Sequence, residues 1–243
     1  MDASTVADTV QNSSNPFYTA LGVLFIAGII YLIVRKKKKK RGAGSGNRVK
    51  EVKKDSTPVK RVDDSSMMSI AQFQKVVYNR FVVFDLETTG LSPQNDRIVE
   101  IAAVRVENGR ITDRFQRLVD PGVHIPESVS KKNHITDDMV KGYAKISQIL
   151  PHFLKFVGRD VLVAHNASFD ASFLRMACAE CRMDPPKDYF DSMRLTVYWP
   201  DLKSKSLDSF LKAAGIENEQ AHRALSDAEA TAQLVIKSFD KIK

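Results

Sequence analysis

The dipeptide Asn108-Gly109 is the sequence feature that most constrains the fold, because it separates two runs rich in apolar and β-branched residues. Asn-Gly readily adopts the positive φ angles of a tight turn between antiparallel strands. The runs 97–106 and 111–119 are therefore predicted to form a β-hairpin. The apolar run 81–86 comes before them and predicts a buried strand. Three consecutive strands should thus form a meander.

Strand and helix patterns alternate along the rest of the chain. Apolar residues at helical spacing predict helices, and a short apolar run predicts one more strand. The predicted helices cover 146–157, 167–182, 207–214 and 221–242, and the predicted strand covers 161–164. The order β-β-β-α-β-α-α predicts an α/β fold with a mixed sheet and helices packed on it.

The net charge of +8 is confined to the N-terminal third of the chain. Residues 1–76 contain 14 Lys and Arg against 6 Asp and Glu, whereas residues 77–243 contain 23 of each. Basicity therefore does not predict nucleic-acid binding by the globular part. Two cysteines exclude a disulfide scaffold, and the single C-x-x-C at 178–181 supplies only half the ligands of a structural zinc site.

The run Phe17–Val34 has 18 residues without charge and is followed by seven basic residues at 35–41. As a helix it would be about 27 Å long, close to the thickness of a membrane core. It predicts one transmembrane helix in the inner membrane, with the N-terminus outside and the globular domain in the cytoplasm. A cleaved signal peptide is disfavoured because the preceding residues are acidic. The basic residues would also contact anionic membrane lipid, and contact with nucleic acid is the alternative.

These patterns divide the chain into four parts. Residues 1–16 form a short tail, 17–34 the transmembrane helix, 35–76 a polybasic stop with a flexible linker, and 77–243 the globular domain. The linker is assigned because Gly, Ser and charged residues mix there without periodicity. The segment 70–77 is also compatible with the first helix of the domain.

The first candidate for chemistry lies at the end of the first predicted strand. Asp85 and Glu87 are two positions apart, so on a strand they point to the same face. Two adjacent carboxylates repel each other, and a divalent metal would neutralise them. Thr88, Thr89 and Gly90 predict a tight turn whose backbone can approach a ligand. Taken alone, this pair also fits a polar surface.

Two further segments place acidic and histidine residues at element ends. His165 and Asn166 end a predicted strand, and Asp170 falls in the first turn of the next helix, where it could also interact with the helix dipole. His222 precedes Asp227 by five residues. This spacing suits a common site only if His222 lies in a loop and Asp227 lies one turn inside the helix. Each residue alone could be structural.

Together, four carboxylates and a histidine indicate one metal site. Oxygen ligands favour Mg²⁺ or Mn²⁺ over zinc, and several carboxylates around one point suit two-metal phosphoryl transfer. The motifs FDLETTG, HNASFD and HRALSDA resemble those of the DEDDh 3′–5′ exonucleases, which include the proofreading epsilon subunit of bacterial DNA polymerase III. The resemblance covers about residues 79–240. It implies a ribonuclease-H-like fold with a mixed five-stranded sheet, three strands antiparallel and two added parallel to the first.

The resemblance also implies roles for the motif residues. Asp85 would bridge two divalent ions, Mg²⁺ or Mn²⁺, with Glu87 and Asp227 completing one ion's ligands and Asp170 holding the other. His222 would be the general base, because an imidazole exchanges protons near neutral pH. The residues that would surround the terminal nucleotide are Thr88, Thr89, His165, Asn166 and Phe169, of which Phe169 also fits core packing.

The predicted function is a membrane-anchored exonuclease that releases nucleoside 5′-monophosphates from 3′ ends of single-stranded DNA, with RNA left open. The alternative is a non-catalytic, membrane-tethered module that binds nucleic acid. Proofreading, separate repair or processing, and a polymerase partner are also left open. One departure from the family pattern is Asn133-His134-Ile135-Thr136, where the family often shows His-Gly-Ile-Thr. Substrate preference near that position is therefore open.

Overall fold

Five strands form one mixed sheet in the computed structural model, which describes residues 66–241. The strands are β1 (Arg80–Thr88), β2 (Ile98–Glu107), β3 (Arg110–Leu118), β4 (Leu162–Ala164) and β5 (Tyr189–Asp191). Their order in the sheet is β3-β2-β1-β4-β5. The first three strands pair antiparallel, whereas β4 pairs parallel with β1 and β5 pairs parallel with β4. This arrangement is the five-stranded mixed sheet that the family resemblance implies, whereas the residue pattern alone predicted four of its strands.

The Asn-Gly hairpin has the geometry that its sequence predicts. Asn108 and Gly109 have φ angles of 51° and 74°, and Glu107 pairs with Arg110 across the turn. Two successive positive φ angles match the right-handed twist of the flanking strands. The turn therefore fixes the pairing next to it, and the register between β2 and β3 shifts between Arg105 and Val106.

Seven helices accompany the sheet within residues 66–241. They are α1 (Ile70–Phe73), α2 (Glu127–Asn133), α3 (Asp137–Val140), α4 (Ile146–Val157), α5 (Ala167–Glu180), α6 (Leu207–Ala214) and α7 (Ala224–Asp240), and a 3₁₀ helix covers Ser192–Tyr198. Two main apolar clusters lie on the two faces of the sheet. One cluster includes residues of α4 and α5, and the other includes residues of α1, α6 and α7.

The alternation of side chains along β1 decides which of its residues meet each layer. Val82 and Phe84 pack in the α4 and α5 cluster, whereas Phe81 and Val83 pack in the α6 and α7 cluster. A central strand that is buried on both faces reads as a continuous apolar run. Asp85 follows Val83 on the face of β1 that packs against α6 and α7. The strand thus delivers its carboxylates beside the beginning of α7.

The structure adds elements that the residue pattern did not predict. Strand β5 has only three residues and follows Pro185 and Pro186, so no periodic signal marks it. Residues 67–76, which the sequence analysis assigned to the linker, pack on the sheet. Met67 bridges to Tyr189, and the Phe73 ring stacks on the Phe190 ring with centroids 4.0 Å apart.

The N-terminal predictions lie largely outside the described residues. These predictions are the tail at 1–16, the transmembrane helix at 17–34 and most of the polybasic linker at 35–76. Between residues 66 and 241, no helix combines the length and the apolarity that crossing a membrane requires.

Candidate active site

Three carboxylates meet where β1 ends and α7 begins. Oxygen atoms of Asp85, Glu87 and Asp227 all lie within 4.8 Å of one another. Asp85 and Glu87 reach this point from the same face of β1, and Asp227 reaches it from the first turn of α7. The predicted juxtaposition of the first and third motifs is present in the fold.

Asp170 connects the second motif to the same strand. It lies in the first turn of α5 and is buried, and its Oδ1 accepts a hydrogen bond from the Leu86 N–H at 3.1 Å. Leu86 is the residue between Asp85 and Glu87. The bond therefore places the fourth carboxylate directly beside the other three.

The loop before α7 explains how His222 and Asp227 of the third motif, which are five residues apart, reach the same site. His222 lies in that loop with a left-handed backbone (φ 64°), and its N–H donates to Asp227 Oδ2 at 3.1 Å. Asn218 Nδ2 donates to the other Asp227 oxygen at 2.6 Å. The loop thus folds over the start of the helix, and the His222 side chain reaches the cavity that the carboxylates line.

A cavity of about 260 Å³ surrounds these groups. The predicted site residues that line it are Asp85, Glu87, Thr88, His165, Phe169, Asp170, His222 and Asp227. Thr89 and Asn166 instead shape the adjoining turns. The Thr89 hydroxyl donates to Asp96 and accepts from the Arg97 N–H, and the Asn166 N–H donates to Asp191. Their predicted contacts with the nucleotide are not tested by this geometry.

His165 uses both ring nitrogens within the fold. Its Nε2 lies 2.8 Å from the carbonyl oxygen of Lys205, which can only accept, so Nε2 carries a hydrogen and donates. Nδ1 then accepts from the Ser192 hydroxyl at 2.8 Å. Burial lowers the pKa of His165, which favours this neutral form. A nucleotide would therefore contact the carbon edge or face of this ring.

Phe169 serves the core and the cavity together. Its ring lies 5.1 Å from that of Phe173, centroid to centroid, and packs against the α4 and α5 cluster. Part of the same ring lines the cavity. Both interpretations of Phe169 that the sequence allowed are compatible with this position.

Helix α2 contributes site residues that no motif marked. Lys132 and Asn133 line the cavity together with Ser128 and Val129. Asn133 is buried and, together with Lys132, favours the charged form of Glu87. Asn133 is the first residue of the segment 133–136 that departs from the family pattern, and Lys132 directly precedes that segment.

The departure at His134 has a backbone explanation. His134 follows α2 with a left-handed φ of 59°, and its N–H donates to the Ser130 carbonyl. Glycine adopts this conformation most easily, which accounts for the family's Gly at this position. The His134 side chain is exposed, and the cavity wall from α2 is formed by the preceding residues.

The electrostatics of the site favour protonation in the absence of a cation. Burial raises the pKa of Asp85 far above its usual range, and Asp170 and Asp227 raise it further. Burial, with the charge of Asp227, raises the pKa of Glu87 to about 8. Burial is also the main reason that the pKa values of Asp170 and Asp227 are raised. The convergent carboxylate oxygens fit a hard divalent cation, which would compensate their mutual repulsion.

Comparison with known proteins places this site in a family. Residues 82–235 match the family described as Exonuclease, RNase_T. The chain belongs to this exonuclease family. The prediction of a DEDDh-type 3′–5′ exonuclease domain resembling the epsilon subunit is confirmed by this match and by the similar proteins that follow.

Similar proteins include PolC-type DNA polymerases III. The chain is 41% identical over 182 residues to that of Clostridium perfringens, covering 74% of this chain and 13% of the polymerase. It is 43% identical over 159 residues to that of Halalkalibacterium halodurans, covering 65% of this chain and 11% of the polymerase. The exonuclease chain therefore spans only a small part of these relatives' length.

Solved exonuclease structures share the fold. Exonuclease X in complex with 5′ overhanging duplex DNA has 29% identity and a TM-score of 0.54, covering 66% of this chain and 92% of that chain. E. coli exonuclease I in complex with a dT13 oligonucleotide has 19% identity and a TM-score of 0.59, covering 65% of this chain and 40% of that chain.

A second family match corrects the interpretation of the N-terminal segment. Residues 12–41 match the LPXTG cell wall anchor motif. The predictions of a transmembrane helix at 17–34 and of an inner-membrane localisation with a cytoplasmic domain were therefore wrong. The predicted lipid contacts of 35–41 are not supported. The matched range contains both the uncharged run and the basic run. A transmembrane helix and a cell wall anchor segment can thus both contain an apolar run with a basic flank. The length and charge of the run therefore did not distinguish between them.

Proposed function

We propose that this exonuclease removes nucleotides one at a time from the 3′ end of single-stranded DNA and releases nucleoside 5′-monophosphates. The observation that carries the proposal is the convergence of Asp85, Glu87 and Asp227 within 4.8 Å, with Asp170 and His222 on the same cavity. DNA is favoured over RNA because the PolC-type relatives are DNA polymerases and exonuclease X was solved with DNA.

The four carboxylates would hold two divalent ions, Mg²⁺ or Mn²⁺, as the resemblance implies. Such ions would neutralise the carboxylates and the phosphate and would favour attack by water. Any of these side chains that ionises without a cation repels the phosphate of the substrate, so the substrate would be held productively only when a cation is bound. Lys132 at the rim adds a local positive charge toward the phosphate.

His222 would act as the general base. Its side chain lines the cavity in a loop that Asp227 holds through the His222 N–H. In the reaction, His222 accepts a proton from water while the water oxygen bonds to phosphorus. The bond from phosphorus to the 3′ oxygen of the preceding nucleotide breaks. The 3′ oxygen takes up a proton from solvent water, so the shortened strand ends in a 3′-hydroxyl, and the last nucleotide leaves with a 5′-phosphate.

The direct test follows the fate of labelled oligonucleotides. The full-length chain is incubated with Mg²⁺ or Mn²⁺ and with single strands of DNA or RNA that carry a 3′ or a 5′ label. We expect the 3′ label to leave first as a mononucleotide and the 5′ label to remain on a shortening ladder. Asp85→Asn should reduce release by at least about 100-fold, since it removes one member of a unit that acts together.

Asp138→Asn is the matched control, because Asp138 is exposed and lies outside the cavity that contains the carboxylates. It should retain wild-type release. Binding of the oligonucleotide without any release would instead support the non-catalytic module. Faster release from RNA than from DNA would reverse the proposed substrate preference.

A further inference from the structure

Glu100 is a fully buried carboxylate next to the site that none of the three motifs includes. It lies on β2, where it pairs across the sheet with Glu87. Its oxygens accept hydrogen bonds from Arg223 Nη2 at 2.8 Å, Arg223 Nε at 3.1 Å, Gln116 Nε2 at 2.8 Å and the Ala224 N–H at 3.0 Å.

These partners compensate the cost of burying the charge. Burial raises the pKa of Glu100, but the hydrogen bonds from Arg223, Gln116 and Ala224 outweigh it and lower the pKa overall. The arginine binds in a bidentate manner, which fixes direction as well as distance. Glu100 is therefore held in its charged form by these donors, whereas the pKa values of Asp85 and Glu87 in the cavity are raised.

Two of these donors, Arg223 and the Ala224 N–H, lie at the start of α7. Arg223 is the residue before the helix and offers no capping side chain, so the first N–H groups of the helix need another acceptor. Glu100 supplies that acceptor from the neighbouring sheet, and its negative charge suits the positive end of the helix dipole. The position of α7 relative to β2 is fixed by this contact.

The contact lies between the two site residues of the third motif. His222 directly precedes Arg223 and has a left-handed backbone, and Asp227 lies one turn further on. The His222 N–H already bonds to Asp227. A displacement of Arg223 would therefore move the ring of His222 with respect to the carboxylates on β1.

We infer that Glu100 is a positioning residue of the exonuclease site. It acts through Arg223 and the Ala224 N–H, and it holds the loop that carries His222 at the cavity. This inference rests on the proposed function, because it concerns the geometry of that site. It adds a residue whose role is to place the general base.

The test compares Glu100→Gln with Glu107→Gln in the full-length chain. Both substitutions remove one carboxylate from the same strand, but Glu107 lies at the hairpin end, where it is 3.9 Å from Arg80. We expect Glu100→Gln to lower kcat by about 100-fold, as small misplacements of reacting groups do. KM for the oligonucleotide should change little, and Glu107→Gln should match the wild type.

A purely structural role would give a different result. Glu100→Gln would then lower the midpoint of thermal unfolding, while kcat of the folded protein stayed at the wild-type value, and that outcome would overturn the inference. If Glu100→Gln does not fold, Arg223→Lys replaces it, because it keeps the charge and loses the bidentate geometry. Arg223→Lys should lower kcat without changing KM, and an unchanged kcat would be equally decisive against the inference.

A second readout separates this inference from the proposed function. The ring resonances of His222 are followed by NMR and assigned with His222→Gln. They should shift in Glu100→Gln and stay in place in Glu107→Gln. If the wild-type chain releases no nucleotide, the proposed function fails and the NMR comparison still decides the positioning role. Identical His222 resonances in all three proteins would overturn it.

Discussion

Asp85 continues a strand face that carries apolar side chains at its preceding positions. Phe81 and Val83 on this face are buried in the α6 and α7 cluster, and Asp85 comes next on the same side. Burying carboxylates here costs stability, because burial and mutual repulsion raise their pKa values. Their presence against this cost is typical of a functional site.

The same residues predict how stability depends on pH without metal. The pKa of Glu87 is raised from 4.5 to about 8 in the folded state, so between these values the folded protein holds more protons than the unfolded chain. Stability should therefore fall as the pH rises from about 4.5 to about 8. Thermal unfolding in EDTA at several pH values measures this effect.

Two comparisons sharpen that measurement. Added Mg²⁺ should raise the unfolding midpoint more at pH 8 than at pH 5, because protons compete with the cation at low pH. Glu87→Gln should weaken the dependence in EDTA, since it removes one of the carboxyl groups whose pKa is raised. A metal-free protein whose stability rises through this pH range would contradict the prediction.

Two turns of the β-meander differ in what their glycines provide. Gly109 has a φ of 74°, and a Cβ there would meet open space, so the turn needs glycine for its backbone alone. Gly90 follows β1 and lines the cavity, and a Cβ there would lie 2.5 Å from the Asp96 carboxyl group. Asp96 accepts from Thr89 and from the Ser92 N–H, so this turn depends on close packing.

The two glycines should therefore give opposite results when changed to alanine. Gly109→Ala should lower the free energy of unfolding by about 1 kcal/mol and leave kcat unchanged, because the strain is local to the hairpin. Gly90→Ala should displace Asp96 and lower kcat/KM by about 10-fold or more, because the turn lines the cavity. Each variant is the other's control, with denaturant unfolding and nucleotide release as the measurements. Equal effects of the two variants on kcat/KM would contradict the assignment.

Charge is distributed unevenly over the whole molecule. Residues 77–243 contain equal numbers of acidic and basic side chains, and seven basic residues lie together at 35–41. The substrate should therefore be held at the site mainly by bound cations and a few local contacts. Longer strands can gain additional attraction from the basic run.

Salt dependence tests this distribution. With a short oligo-dT of about four nucleotides, log kcat/KM should fall against log salt with a slope no steeper than about −2, which corresponds to few phosphate contacts. Changing all seven basic residues at 35–41 to Gln should leave the short substrate unaffected. The same change should reduce the slope measured with a strand of about 40 nucleotides. A large loss of kcat/KM on the short substrate would show that the basic run serves the site directly.

Local patterns were sufficient for most of the fold. The Asn108-Gly109 turn, the apolar run of β1 and the helical spacing at 207–214 predicted elements close to those observed. The N-terminal segment shows the limit of such patterns. Its uncharged and basic runs fit a membrane span by length and charge, yet residues 12–41 match a cell wall anchor motif. Short β5 also lacked any periodic signal of its own.

The sequence by itself determined the hairpin, the central strand and the candidate ligands, because these depend on residue spacing over a few positions. Only the tertiary structure decided three further contacts. Asp170 accepts a hydrogen bond from the Leu86 N–H on β1, and both ring nitrogens of His165 form hydrogen bonds within the protein. Glu100 accepts hydrogen bonds from Arg223. These contacts join residues far apart in the chain. Their partners are chosen by how strands and helices pack, which no local spacing encodes.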